Sequence, residues 1–205
     1  ARNAKGKPSY LEECCRMLLD NGVMRRKGAE GWELDAALVS TVSFPSGLRE
    51  SFRRRLNGIG ATGRELLELM VILDRPVTWH DLRELAVMGG EPASRVDSAI
   101  ETLHWRHFIK LNLEMKGRSI SFIEPEVKQV VELLISPEWR RALHRRTGEF
   151  LFKLWQDGNA SAREVARHLD EGGKADLARR MWGVEGLNAL KLKDWTRAIH
   201  AFERV

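Results

Sequence analysis

Four groups of side chains have a type and spacing that could do chemistry: the histidines His104 and His107, the adjacent thiols Cys14 and Cys15, His144, and two runs of arginine. His104 and His107 could share one helical face. No cysteine accompanies them to complete a zinc set, and the segment is passing from helix to strand. Adjacent cysteines suit neither a disulfide framework nor a CxxC metal spacing, so both read as free thiols within a helix. His144 has no sequence partner with which to build an acid–base pair and reads as a packing histidine near Trp139 and Phe150. Arg53, Arg54 and Arg55, and then Arg140, Arg141, His144, Arg145 and Arg146, form basic stripes at helical spacing. Such stripes read first as solvated faces. The alternative is docking on an acidic protein surface or a nucleic-acid backbone.

Nucleotide chemistry is missing from the chain itself. No Gly-x-x-x-x-Gly-Lys-Ser/Thr loop occurs, so there is no backbone cradle for phosphates and no lysine to reach them. No apolar strand ends in paired acids for magnesium, and neither His-Arg-Asp nor Asp-Phe-Gly is present. These residues by themselves are therefore not expected to form an enzyme.

The elements that must position these groups follow from composition and punctuation. The chain has 205 residues, 43% hydrophobic and 31% charged, with a formal net charge of +5, enough apolar matter for one or two small domains with a real core. The charge permits acidic or nucleic-acid partners but is spread along the chain. No apolar run approaches the roughly 20 residues that cross a bilayer, and the opening residues hold no apolar signal core. A reducing cytoplasm is the expected location, with no membrane contact. The seven tryptophans, 32, 79, 105, 139, 155, 182 and 195, sit mainly at core spacing and read as packing rather than as a base-stacking platform.

Pro8, Pro45, Pro92, Pro125 and Pro137 each precede an apolar-periodic segment, which marks helix starts in a mainly α protein. The first helix spans 8–20, with Leu11, Cys14, Cys15 and Leu18 on one face, and stops at Asn21 and Gly22. A short hairpin pairs 23–26 with 32–34. Pro45 and Ser46 open a helix with Leu48, Phe52 and Leu56 on one face. Helices at 61–73, 78–88 and 93–105 then lead into strands at 108–113 and 120–123, joined through Lys116 and Gly117. That succession is the plan of a winged helix with small β-hairpins. Its third helix turns Val96, Ala99, Ile100 and Leu103 inward and Arg95, Asp97, Ser98, Glu101 and Thr102 outward. One arginine against two acids does not suit a helix that must neutralise phosphates in a major groove, so DNA is not the expected partner of this face.

The last third reads as helical repeats. Trp182, Gly186, Ala198 and Phe202 fall in register with the tetratricopeptide pattern, in which small residues let paired helices approach and aromatics fill the groove between them. Asp194 and Trp195 occupy the turn. Upstream, Ala162, Val165, Ala166 and Leu169, then Ala175, Ala178 and Met181, suggest a degenerate earlier pair beginning near Ser161. The expected organisation is 1–43, the end of a preceding domain with a short hairpin; 44–124, winged helix; 125–158, connecting helices; and 159–205, the start of the repeats. One and a half to two repeats fall short of the three or so that a free-standing array needs, so the chain is expected to be a piece of a longer polypeptide.

Several of these marks together carry a resemblance. The order of the two helices across 44–77 resembles the start of the winged-helix unit that follows the ATPase core in bacterial signal-transducing NTPases of the STAND class, which includes maltose-regulon-type activators and related multidomain kinases and regulators. Phe122, followed later by Arg140, Leu143 and His144, is similar to the family's motif after the wing, with Glu124 standing where the family has histidine. Gly6, Lys7 and Pro8 look like the Gly-x-Pro motif that closes the NTPase lid. The resemblance implies that Gly6 and Pro8 belong to a nucleotide sensor, with Pro8 beside the adenine of ATP or ADP held with magnesium in the parent P-loop ATPase. It further implies that this segment is non-catalytic and couples nucleotide state to a helical-repeat sensor arm, in signal transduction or transcription regulation. Its partners would be the NTPase core within the same polypeptide, a protein or peptide ligand of the repeats, and further copies of the parent on oligomerisation. Arg53, Arg54, Arg140, Arg141 and Arg145 would supply the basic docking face. Two readings from other classes stand beside it: a DNA-binding winged-helix transcriptional regulator with a helical dimerisation arm, and a free-standing repeat adaptor between proteins.

Overall fold

The computed structural model describes residues 8–28, 31–39, 42, 47–112 and 119–205. Gly6, Pro45, Ser46, Lys116 and Gly117 lie outside the described residues. Within them the chain is mainly helical, with eleven helices and two small antiparallel sheets.

Helix α1 (Pro8–Asp20) begins on its proline and ends at Gly22, whose φ of 68° lets the backbone turn back. The amide of Val23 donates to the Leu18 carbonyl at 2.8 Å and starts the hairpin β1 (Met24–Arg26) and β2 (Trp32–Leu34). The buried face of α1 carries Tyr10 and Glu13, with Cys14 packed on the core beside them, whereas Leu11 and Cys15 are exposed. That corrects the expected apolar face, which the acid at position 13 disguised. A short α2 (Ala36–Val39) follows, and then α3 (Leu48–Leu56), which buries Phe52 and Leu56.

Helix α4 (Ala61–Leu73) is central. Ten of its residues are buried, on all sides, because α5, α6, α7 and α8 all pack on it. The chain leaves it through Asp74 at φ 53° and forms β3 (Val77–Thr78), whose second residue stands where the sequence predicts the start of the helix 78–88. A two-residue strand has no period to detect. Thr78 caps α5 (Trp79–Met88) by accepting from the Asp81 amide at 3.0 Å. Next come α6 (Ala93–Trp105), β4 (Ile109–Asn112) and β5 (Ser119–Phe122), and the three strands lie in the order β3-β5-β4, all antiparallel.

Glu124 is the residue preceding α7 (Pro125–Leu134), and Ser136 caps α8 (Pro137–Gln156) through the Trp139 amide. Ser161 and Glu164 form a reciprocal capping box at the start of α9 (Ala162–Glu171). Then come α10 (Ala175–Lys191) and α11 (Trp195–Phe202), opened by Asp194. Helices α8 to α11 pack each on the next in chain order. Close approach begins one helix earlier than the sequence suggested. A Cβ on Gly148 of α8 would lie 2.8 Å from Leu169, as one on Gly186 of α10 would lie 2.6 Å from the Phe202 ring. Each of the pairs α8–α9 and α10–α11 thus has a glycine at its point of close approach, Gly148 against Leu169 and Gly186 against Phe202.

Candidate functional site

The structure concentrates buried charge at the junctions between successive parts of the chain. At the first junction, Glu13 of α1 is 2% exposed. Its Oε1 accepts from Ser51 Oγ at 2.6 Å and from Arg55 Nη1 at 3.0 Å; its Oε2 accepts from Arg55 Nη1 and from Arg16 Nη1, each at 2.9 Å. The Arg55 guanidinium also lies over the rings of Phe52, at 5.4 Å, and Phe108, at 4.6 Å. Burial pushes the Arg55 guanidinium below its ordinary range, and Glu13 pulls it back up. Burial likewise lowers His107, which stands in the tight turn after α6 at φ 54° and feels both Arg16 and Arg55. One carboxylate therefore ties α1 to α3 and, through Arg55 and Phe108, to the turn between α6 and β4.

A second junction joins α4 and α5 to α8. Arg146 Nη1 stands 2.7 Å from Glu65 Oε1, both side chains being largely buried, and the guanidinium passes so close over Gly89 that no Cβ would fit there. Trp139 donates its indole N–H to Glu68 at 2.7 Å. Burial raises the Glu68 carboxyl, and the Trp139 hydrogen bond and Arg64 oppose that rise. At the end of α4, Lys128 pairs with Asp74, and Arg75 reaches Glu164 of α9 at 3.4 Å.

The third cluster links α8 to α9. His144 and His168 are stacked, with ring centroids 5.0 Å apart, and both are almost fully buried. Arg167 has only donors to offer His168 Nε2 at 3.0 Å, so that nitrogen accepts and Nδ1 carries the proton. His168 Nδ1 then donates to His144 Nδ1 at 3.1 Å, and His144 Nε2 lies 3.0 Å from Glu171 Oε2. Both hydrogen bonds of this relay are met with the two rings neutral. Burial lowers both histidines, and burial with Arg167 beside it holds His168 down at about 3. His144 is thus a packing histidine, as its sequence implied, but with a partner and a carboxylate that the sequence reading did not find.

Pro8 is exposed at the first turn of α1. Trp182 and Ala198 are buried, Gly186 lies against the Phe202 ring, and Phe202 is 42% exposed. Arg53 and Arg54 stand exposed on α3, with Arg54 paired to Glu50. On α8, Arg140 donates to the Glu132 carbonyl at 3.0 Å, Arg145 to the Gly172 carbonyl at 3.2 Å, and Arg141 packs over Gly173. Arg140 and Arg145 thereby brace the ends of α7 and α9, while Arg141 and Arg145 are also exposed. Trp182 is the buried tryptophan, whereas Trp32, Trp105, Trp139 and Trp195 are exposed, a correction to their reading as core. Asp97 accepts from Trp79 and Arg83, so one of the two acids expected on the outer face of α6 is engaged within the fold.

Among the described residues no three His, Cys, Asp or Glu side chains converge to hold a metal ion, and no helix is long and apolar enough to cross a membrane. No family model matches the chain, and neither a curated protein nor a solved structure is found to match it.

Proposed function

We propose that this chain is the non-catalytic regulatory segment of a signal-transducing NTPase of the STAND class, in which α1 ends the nucleotide-domain lid, the unit from α3 to β5 is a winged helix, and α8 to α11 begin a tetratricopeptide-like sensor arm. The observation that carries the reading is the buried Glu13–Ser51–Arg55 cluster. A helix whose only role was to lead into the next unit would need no internal charge. A carboxylate held by Arg55, Arg16 and Ser51 fixes α1 in one orientation on α3, which is what a device that passes motion from lid to winged helix requires.

Two further features support it. The order helix, strand, helix, helix, strand, strand, with β3 against β5, suits a winged helix, and the outward residues of α6 include Glu101, Ser98 and Thr102 with Arg95 near Glu91. A face of that kind suits contact with protein better than contact with phosphates. The ion pairs Arg146–Glu65 and Arg75–Glu164 continue the polar linkage into the repeats. Signal bound by the repeats would shift the equilibrium between closed and open parent molecules, and ATP or ADP with magnesium would bind upstream. Transcription factor, kinase and cyclase outputs are all compatible with it.

Reading the parent open reading frame on both sides tests this. A phosphate-binding loop and an acid-tipped strand before Ala1, with more repeats after Val205, are expected. A start codon at the first residue and a stop after the last would overturn the proposal and turn attention to the DNA-binding and adaptor readings.

A further inference from the structure

The outer edge of the hairpin β1–β2 is open. Its register pairs Met24 with Leu34, Arg25 with Glu33 and Arg26 with Trp32. The amide of Asp35 donates to the Val23 carbonyl at 2.8 Å and that of Lys27 to the Gly31 carbonyl at 2.9 Å. Bonded and unbonded pairs alternate along an antiparallel ladder, so Val23–Asp35, Arg25–Glu33 and Lys27–Gly31 are the bonded ones. Trp32 and Leu34 stand between them, with the N–H and C=O of both residues pointing away from β1. These groups find no hydrogen-bond partner among the described residues. Helix α1 packs on β1, which leaves β2 as the accessible edge.

The side chains of this edge are as open as its backbone. All of β2 is exposed, Trp32 at 60% and Leu34 at 52%. These two share one face of the strand, and Glu33 lies on the other. Arg25 stands opposite Glu33 but turns its Nε to the Gly22 carbonyl at 3.0 Å, and Glu33 forms no ion pair among the described residues. With no lysine, proline or bulge in β2, only its shortness and the charge of Glu33 guard it against indiscriminate pairing.

Glu33 also selects the partner. An added antiparallel strand bonds to Trp32 and Leu34, and its middle residue faces Glu33 in the unbonded pair, where Cα atoms approach to about 4.5 Å and side chains are closest. A second copy of β2 centred there sets Glu33 against Glu33, and like charges directly opposite destabilise a sheet. A lysine or arginine at that place neutralises the acid instead, and an apolar residue on either side covers Trp32 and Leu34.

We propose that the free edge of β2 takes up an extended segment of a partner protein, of the pattern apolar–basic–apolar, as a third antiparallel strand. Affinity comes from the main-chain groups of Trp32 and Leu34, and choice of partner from Glu33. The edge is available whether or not the parent is an NTPase.

The test is titration of the ¹⁵N-labelled 205-residue chain with the peptide acetyl-Thr-Val-Lys-Val-Thr-amide, reading the backbone amides of Trp32 and Leu34. Both should move saturably below about 10 mM, ten times the constant of a millimolar binder. The counterpart with glutamate in place of lysine should bind about fivefold more weakly, through the change of sign in one cross-strand charge pair. Methylating the two valine backbone nitrogens should abolish the response, whereas methylating the lysine backbone nitrogen, which faces away from the edge, should leave it. Glu33→Lys, at an exposed position, should reverse the preference between the two peptides. No saturable movement, an equal response to both peptides, or indifference to valine methylation would overturn the proposal. So would movement of the same amides on concentrating the chain alone, which would mean that the edge pairs with a second copy.

Discussion

Both carboxylate oxygens of Glu13 lie within 3.0 Å of Nη1 of Arg55, forty-two residues further along the chain, in a setting only 2% exposed on the glutamate side. Removing one member of a buried pair leaves the other charge without compensation, and the cost is about 3–5 kcal/mol. Glu13→Gln is expected to lower unfolding stability by about 3 kcal/mol in urea titrations. The double change Glu13→Leu with Arg55→Met should recover much of that loss, because an apolar pair of similar volume avoids the desolvation of both charges. A double variant no more stable than the single one would mean that the cluster does not act as a pair.

The relay from Arg167 through His168 and His144 to Glu171 makes stability sensitive to mild acid. His168 is held at about 3 in the folded chain, against about 6.5 when unfolded. A lowered folded value means the unfolded chain takes up the proton first as pH falls. The contribution is therefore complete above about pH 6.5 and lost progressively towards about 3, with a slope of about 1.4 kcal/mol per pH unit for each proton. His144 is shifted in the same direction. Urea midpoints between about pH 6.5 and 5, where ordinary carboxylates stay ionised, should fall less steeply in His144→Gln/His168→Gln than in the parent chain. Equal slopes would show that the pair does not stay neutral.

The glycines of the helical array should differ in their tolerance of a methyl group according to what that group would strike. At Gly172 an added Cβ would meet the Arg145 backbone at 2.6 Å, which cannot rotate away. At Gly148 it would meet Leu169 at 2.8 Å and that residue's backbone nitrogen at 3.0 Å. At Gly186 the obstacle is the ring of Phe202, itself 42% exposed and able to turn outward. Overpacking costs about 1–3 kcal/mol, and a helix-interior glycine replaced by alanine regains about 1. Thermal unfolding should thus rank Gly172→Ala as most damaging, Gly148→Ala next, and Gly186→Ala as near neutral.

Duplex DNA should not bind through α6. Its exposed residues include Arg95, Ser98, Glu101 and Thr102, one cation beside an acid, and Ser94, His104 and Trp105 add no lysine or arginine. Anisotropy of a labelled duplex is expected to stay flat at low micromolar protein even at low ionic strength. Salt-sensitive binding there would favour the DNA-binding regulator instead.

Sequence punctuation placed most helices accurately because prolines, caps and glycines act locally. Pro8 and Gly22 bound α1, and Ser161 with Glu164 opens α9. Whatever depended on distant pairing was hidden. Glu13 falls on the buried face of α1 and so made that face look polar, which shifted the expected stripe to Leu11 and Cys15. His168 sits between Val165 and Leu169 and interrupts the apolar stripe of α9, yet is buried against His144. The carbonyls that Arg140 and Arg145 reach, on Glu132 and Gly172, lie at the ends of other helices and leave no mark beside these arginines in the sequence. An acid or histidine interrupting an otherwise apolar helical face was the available signal at Glu13, His168 and Glu185.

The central claim is that α1 and α3 move as one body when nucleotide changes in the parent molecule. Hydrogen exchange of the parent polypeptide with ADP and with ATP tests it most directly, comparing the natural sequence with Glu13→Gln. Protection of α1 and α3 should change together between the two nucleotides and come apart in the variant. Protection indifferent to nucleotide, or a change in α1 that never reaches α3 in the natural sequence, would contradict the account.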